Sequence, residues 1–179
     1  MEKSDGDIEN LQNLKSPPAK IESFAKFYNN TKYPVTIIWI DCSGHGIVYI
    51  RNLPSKRWYD VNTFADHKWI FLRSGTHERL AGNGKFVWSG EPWTNNCGNN
   101  PNQARRRLVI VGTPVYSLKE CCINIINRQL ARERQSAESL RMLPRDLIED
   151  LRVPIYRNFM PFRLRARPVR DVRNNDVRD

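Results

Sequence analysis

The run VTIIWI at residues 35–40 restricts this chain more than any other stretch. Its apolar character is continuous, without the alternation of a half-solvated strand, so it specifies a strand buried on both faces. Such a strand needs neighbours and cover, and the chain supplies them. Short apolar runs recur at 24–28, 47–50, 57–64, 69–72, 85–88 and 107–111. Between them lies turn chemistry such as Asn29-Asn30-Thr31, Ser43-Gly44-His45-Gly46 and Asn52-Leu53-Pro54-Ser55. Strands at that spacing predict a β-sandwich of roughly 90 residues. The polar residues 1–19, closed by Ser16-Pro17-Pro18, are predicted to be disordered, and the span 89–106 reads as a long exposed loop.

After Gly112-Thr113-Pro114 the periodicity changes. Ser117-Leu118-Lys119-Glu120 has the form of a capping box, in which hydroxyl and carboxylate satisfy each other's free backbone amides. Leu118, Cys122, Ile125 and Gln129 then fall on one helical face, which Ile126 and Leu130 widen. A polar link, ARERQSAES, precedes a second stripe of Leu140, Leu143, Leu147 and Leu151; Pro144 suits its first turn and Pro154 ends it. The expected organisation is α+β. Residues 1–19 form a disordered start, 20–113 a β-domain, 114–155 a small helical domain and 156–179 an irregular Arg-rich tail. Two or three short helices cannot hide this much apolar surface, and each large aliphatic side chain left in water forgoes about 1.5–3 kcal/mol. Leu118, Cys122, Ile123, Ile125 and Ile126 either pack onto the β-domain or dock another chain's helices.

The charge of +10 brings nucleic acid, an anionic membrane or an acidic protein into consideration as partner. No apolar run approaches a membrane span, and the charged start is no signal peptide, so a cytoplasmic or nuclear location with reduced thiols is expected. Cys42 and Cys97 are isolated, Cys121 and Cys122 are adjacent rather than spaced as CxxC, and the three histidines are scattered, so neither metal nor cofactor is expected. No phosphate loop, HExxH or GxSxG occurs. Asn29-Asn30-Thr31 has the form of a glycosylation sequon, but without a secretion signal it is more simply a turn.

The candidate site lies in VNTFADHKWIFLRSGTH, residues 61–77. Thr63, His67 and Trp69 place a hydroxyl, an imidazole and an indole within seven residues. With Trp69 to Phe71 as a strand, Trp69 and Phe71 share a face and His67 lies on the same side. That suits a small pocket with aromatic walls and two polar groups at its floor, although a core strand with a satisfied His and a turn Thr would use the same residues. As a general base His67 would need a nucleophile or carboxylate placed beside it, and the sequence offers none, so no enzymatic role is expected.

Three blocks in one order carry a resemblance: FYNNTKYPVTIIWID (27–41), DHKWIFLRSGTHERL (66–80) and TPVYSLKECCINII (113–126). Over residues 24–153 the chain resembles the von Hippel–Lindau tumour suppressor family. The resemblance implies a β-domain followed by a helical domain. It implies the substrate-recognition subunit of a cullin-RING E3 ubiquitin ligase, binding hypoxia-inducible factor α only after prolyl hydroxylation. By the same resemblance His67 and Thr63 match the His and Ser that bond the prolyl hydroxyl, Trp69 and Trp39 match the indoles around the ring, and Tyr49 the Tyr that bonds the peptide backbone. Asn62 and Phe64 would flank the peptide; the family commonly has Tyr at Phe64. Leu118 and Cys122 match the box that binds elongin C, with Ile125, Ile126 and Leu147 also assigned to that surface. Elongin B and a cullin with its RING protein would follow. Cys121 and Asn127 stand where better-known members have Arg, and nothing is carried over past Pro154.

The chemistry fits a gate. A proline ring is compact apolar surface that two indoles can cover. Thr63 and His67, desolvated by an unmodified proline, would each cost about 1–3 kcal/mol for want of a partner. Discrimination then rests on a missing-partner penalty more than on attraction. Two rivals remain. A nucleic-acid-binding β-domain would use the aromatic residues, Arg105-Arg106-Arg107 and the tail, though Asp171, Asp176 and Asp179 interrupt that tail. A scaffold would bind elongin C and ignore hydroxyproline.

Overall fold

The run at 35–40 is strand β2 (Val35–Ile40), and both faces are covered as its composition requires. Val35 and Ile37 lie in one apolar cluster with Phe27, Trp69 and Phe71, whereas Ile38 and Ile40 lie in a second with Leu14, Val48, Ile70 and Leu72. The computed structural model describes residues 14–96, 104–133 and 165–166. Around β2 stand β1 (Glu22–Asn29), β3 (Gly46–Leu53), β4 (Trp58–Phe64), β5 (Lys68–Arg73), β6 (Arg79–Gly82), β7 (Trp88–Ser89), β8 (Arg107–Gly112) and β9 (Arg165–Ala166). The described helix is α1 (Leu118–Glu133).

The expected sandwich is one sheet bent back on itself. Its order is β4-β1-β8-β6-β5-β2-β3-β9, with β7 pairing β5. β6 joins the two halves, pairing β5 on one side and β8 on the other. At that junction the backbone runs so close to Phe71 that a Cβ on Gly82 would sit 2.5 Å from its ring, so only glycine fits. The halves meet through aromatic residues: Phe27 of β1 lies 5.2 Å from Trp69 and 5.1 Å from Phe71 of β5, ring centre to ring centre. Tilted and edge-on contacts of this kind add to the burial of the rings themselves.

Four expectations change. β6 was not among the predicted strands, because RLAG offers little apolar length. The run at 85–88 contributes only Trp88 to a strand; Lys85 instead closes a tight turn with Gly82 around Asn83 and Gly84, both at positive φ. Residues 14–16, predicted as part of a disordered start, are fixed: Leu14 and Ser16 are buried, and the Ser16 amide donates to Asp41 O at 3.1 Å. The span 89–106 is anchored at its start, where Gly90 is buried and exchanges hydrogen bonds with His67 and Asp66.

Asn29 is a turn residue of unusual consequence. It is wholly buried, its amide donates to the carbonyls of Tyr33 (2.8 Å) and Leu53 (2.9 Å), and its Oδ1 accepts from the Thr31 amide and hydroxyl. A side chain so enclosed cannot carry a glycan in the folded chain.

The capping box forms as predicted. The Ser117 amide and hydroxyl donate to Glu120 Oε2 at 2.7 and 2.8 Å, and the Glu120 amide donates back to Ser117 Oγ at 3.2 Å. α1 runs three residues into the predicted polar link, since Ala131, Arg132 and Glu133 are good helix formers. Its Ile123 is buried, while Leu118, Cys122 and Ile125 are exposed. The second leucine stripe, Leu147 included, and the tail apart from β9 lie outside the described residues.

Candidate functional site

The turn between β4 and β5 sets the site. Asp66 adopts φ 62°, its amide donates to Gly90 O at 2.8 Å, and the His67 amide donates to Phe64 O at 3.2 Å. Asp tolerates that left-handed conformation better than most residues, and Gly90 is needed beside it, since a Cβ there would meet Phe64 O at 2.2 Å. The chain doubles back within two residues, so the imidazole of His67 returns over the inner face of β4. Thr63 is not in the turn; it sits on β4 with its side chain inward.

Five rings and a hydroxyl come together. Trp39 stacks on His67 at 5.2 Å and 25°, Tyr49 stands edge-on to Trp69 at 4.8 Å, and Phe64 lies 5.2 Å from His67. Trp39 and Tyr49 are themselves edge-on at 6.3 Å. Trp39 and Trp69 are cross-strand partners in the β2–β5 ladder, which places one indole beside the other. Thr63, His67 and Trp69 are buried. Asn62 is the exception. Alternation turns it to the opposite face of β4, where its Oδ1 accepts from Arg106 at 2.8 Å.

Proton bookkeeping assigns roles. Trp69 Nε1–H can only donate, and it donates to Thr63 Oγ1 at 3.3 Å. The Thr63 hydroxyl lies 3.4 Å from His67 Nδ1, a contact either imidazole tautomer can make; with the Thr63 proton assigned to it, the imidazole carries its hydrogen on Nε2. Both contacts are long and weak. His67 Nε2 is buried with no protein partner among the described residues, and so is Trp39 Nε1. Burial holds the His67 pKa below its ordinary value, and the Pro17 backbone beside the ring opposes this in part. His67 is therefore a neutral donor at pH 7. Two unpaired N–H groups side by side in an aromatic site are costly to leave unmet.

Residues 14–96 match the family model described as the VHL beta domain. That stretch is VHL-like. In this VHL-like β-domain every residue of the ring cluster falls inside the matched span, whereas β8 and α1 lie beyond it.

A cavity of about 600 Å³ lies elsewhere, between the 30–33 loop, Glu78 and α1. Buried Glu78 there takes Arg73 at 3.3 Å and Arg128 at 2.8 Å, which ties α1 to the β-domain. Burial and the Glu78 charge raise the pKa of Tyr116, whose hydroxyl donates to Arg79 O. None of the ring cluster lines this cavity. The predicted helical surface divides: Leu118 is 82% and Ile125 52% exposed, Cys122 is exposed, and Ile126 is half-buried.

Sequence reasoning missed Ser16, Asp66 and Gly90. Leu14 three residues ahead of Pro17-Pro18 was the available signal for the first, since proline narrows the backbone and a nearby apolar residue has something to bury. No local signal marks Gly90.

Proposed function

We propose that the chain is the substrate-recognition subunit of a cullin-RING E3 ubiquitin ligase, non-catalytic in itself, that binds hypoxia-inducible factor α after prolyl hydroxylation and so takes part in oxygen sensing. One observation carries the reading. His67 Nε2 is buried against the Trp39 plane with no hydrogen-bond partner among the described residues, beside a Thr63 hydroxyl with a lone pair to spare. A 4-hydroxyproline meets both demands: its oxygen accepts from His67, and its proton goes to Thr63. Its ring is the apolar surface that the indoles and Tyr49 require. Plain proline leaves both groups dry and unpaired, at about 1–3 kcal/mol each.

β4 ends the sheet order, so its outer edge is open among the described residues, one strand-width from Thr63. An extended peptide added there would have its backbone bonded and its ring delivered to the cluster. On α1, the exposed Leu118, Cys122 and Ile125 present the apolar face that elongin C, with elongin B, would cover before a cullin and its RING protein join. Such a protein would act in cytoplasm and nucleus. Against the nucleic-acid reading, Arg106 is engaged by Asp60 and Asn62, and Arg107 by Glu91 at 2.9 Å.

The test is calorimetry with a hydroxyproline peptide and its plain twin. A strong preference supports the reading; equal affinities refute it.

A further inference from the structure

Ser16 occupies an unexpected place. Ile40 and Lys68 are register partners at the last step of the β2–β5 ladder, immediately after Trp39 and His67 respectively. The Ser16 hydroxyl donates to Ile40 O, and the Lys68 amide donates to Ser16 Oγ at 2.9 Å. One side-chain oxygen is thus spliced into the backbone ladder directly behind the two stacked rings. Ser16 is 3% exposed. Its segment is held on both sides: Leu14 belongs to the outer cluster with Ile40, Val48 and Ile70, and Pro17 O accepts from Cys42 Sγ at 3.5 Å.

A strand end fixed only by its neighbours frays. Here the fraying end would carry Trp39 and His67 with it, and their placement sets the apolar wall and the polar atom that a small ring with one hydroxyl would meet. We infer that Ser16 is a positioning residue of the ring cluster: it closes the β2–β5 ladder behind Trp39 and His67 and holds the two rings in register for the ligand. This rests on the hydroxyproline reading only for the ligand's identity; the latch itself is a property of the free chain. Ser16 touches no ligand, and acts through the strand ends it joins.

The experiment follows the His67 imidazole by NMR titration in the full chain, alongside calorimetry with the hydroxylated and plain peptides. Ser16→Ala should move the His67 titration up toward the ordinary histidine range, because a loosened ring meets water. It should also cut the hydroxylated-to-plain preference roughly tenfold or more, the scale expected when a site's supporting contacts are lost. Ser16→Thr, which keeps the hydroxyl, should restore both. Val109→Ala, a core truncation in the other half of the sheet, should lower the melting temperature and move neither. An unchanged His67 titration in Ser16→Ala overturns the latch, as does an equal shift in Val109→Ala. If the wild-type chain shows no peptide preference, the ligand reading fails while the titration still decides the role of Ser16.

Discussion

The ring cluster and the outer face of α1 are unfinished in opposite ways. The cluster's floor of Thr63, His67 and Trp69 is buried, and what the cluster lacks is polar: His67 Nε2 and Trp39 Nε1 have no partner among the described residues. The helix face is open, and what it lacks is apolar cover for Leu118 and Ile125. Water can partly serve the second and cannot reach the first. A buried orphan donor imposes a penalty on wrong ligands, which makes for discrimination, whereas exposed aliphatic surface rewards any partner of the right shape, which makes for affinity. Under the proposed function the first surface would select and the second would assemble.

The largest expected effect breaks the first side of that contrast. Thr63→Val with His67→Phe should bring hydroxylated and plain peptides to similar, weak affinity, a loss of about 2–6 kcal/mol of discrimination, measured by calorimetry. Elongin C capture by the same variant should be unchanged. The opposite break is Leu118→Ala or Ile125→Ala, each expected to weaken elongin C binding by about 1.5–3 kcal/mol while leaving peptide preference intact. Because both side chains are exposed in the free chain, its melting temperature should hardly move, and a large drop would show that they support the fold.

A smaller effect sharpens the contrast by uncoupling the regions. Glu78→Gln removes the charge that Arg73 and Arg128 share and should cost about 1–3 kcal/mol of stability. Hydrogen exchange should rise along α1 with the ring cluster unaffected. The smallest concerns pH. His67 has a depressed pKa in the folded chain, so the unfolded chain takes up the proton first as pH falls. Its stabilising preference for the neutral ring is complete above about 6.5 and is lost progressively below it, down through the folded value. Thermal melts should show that decline, and His67→Phe should remove this part of it.

Much of this was legible beforehand because it is local. The two-faced burial of β2 follows from VTIIWI, and the α1 cap from the S-x-x-E spacing, since each depends on neighbours a few residues away. What stayed hidden involves long separations. β6 is a strand because Leu80 meets Phe71 and Gly82 lets the sheet turn, and nothing within RLAG announces that. The fixed start at 14–16 depends on a hydroxyl finding Ile40 and Lys68, so a polar, proline-rich segment looked disordered.

The sequence by itself determined the strand-rich character, the helix start and the presence of Thr63, His67, Trp39 and Trp69, because hydrophobic period and capping chemistry act over short spans. Only the tertiary structure decided that His67 stacks on Trp39 with Nε2 unpaired, that Asn62 faces away, and that Leu118 and Ile125 remain outside. The physical reason is that exposure and hydrogen-bond satisfaction belong to the whole packed chain: a side chain is orphaned or paired only once every strand around it has taken its place.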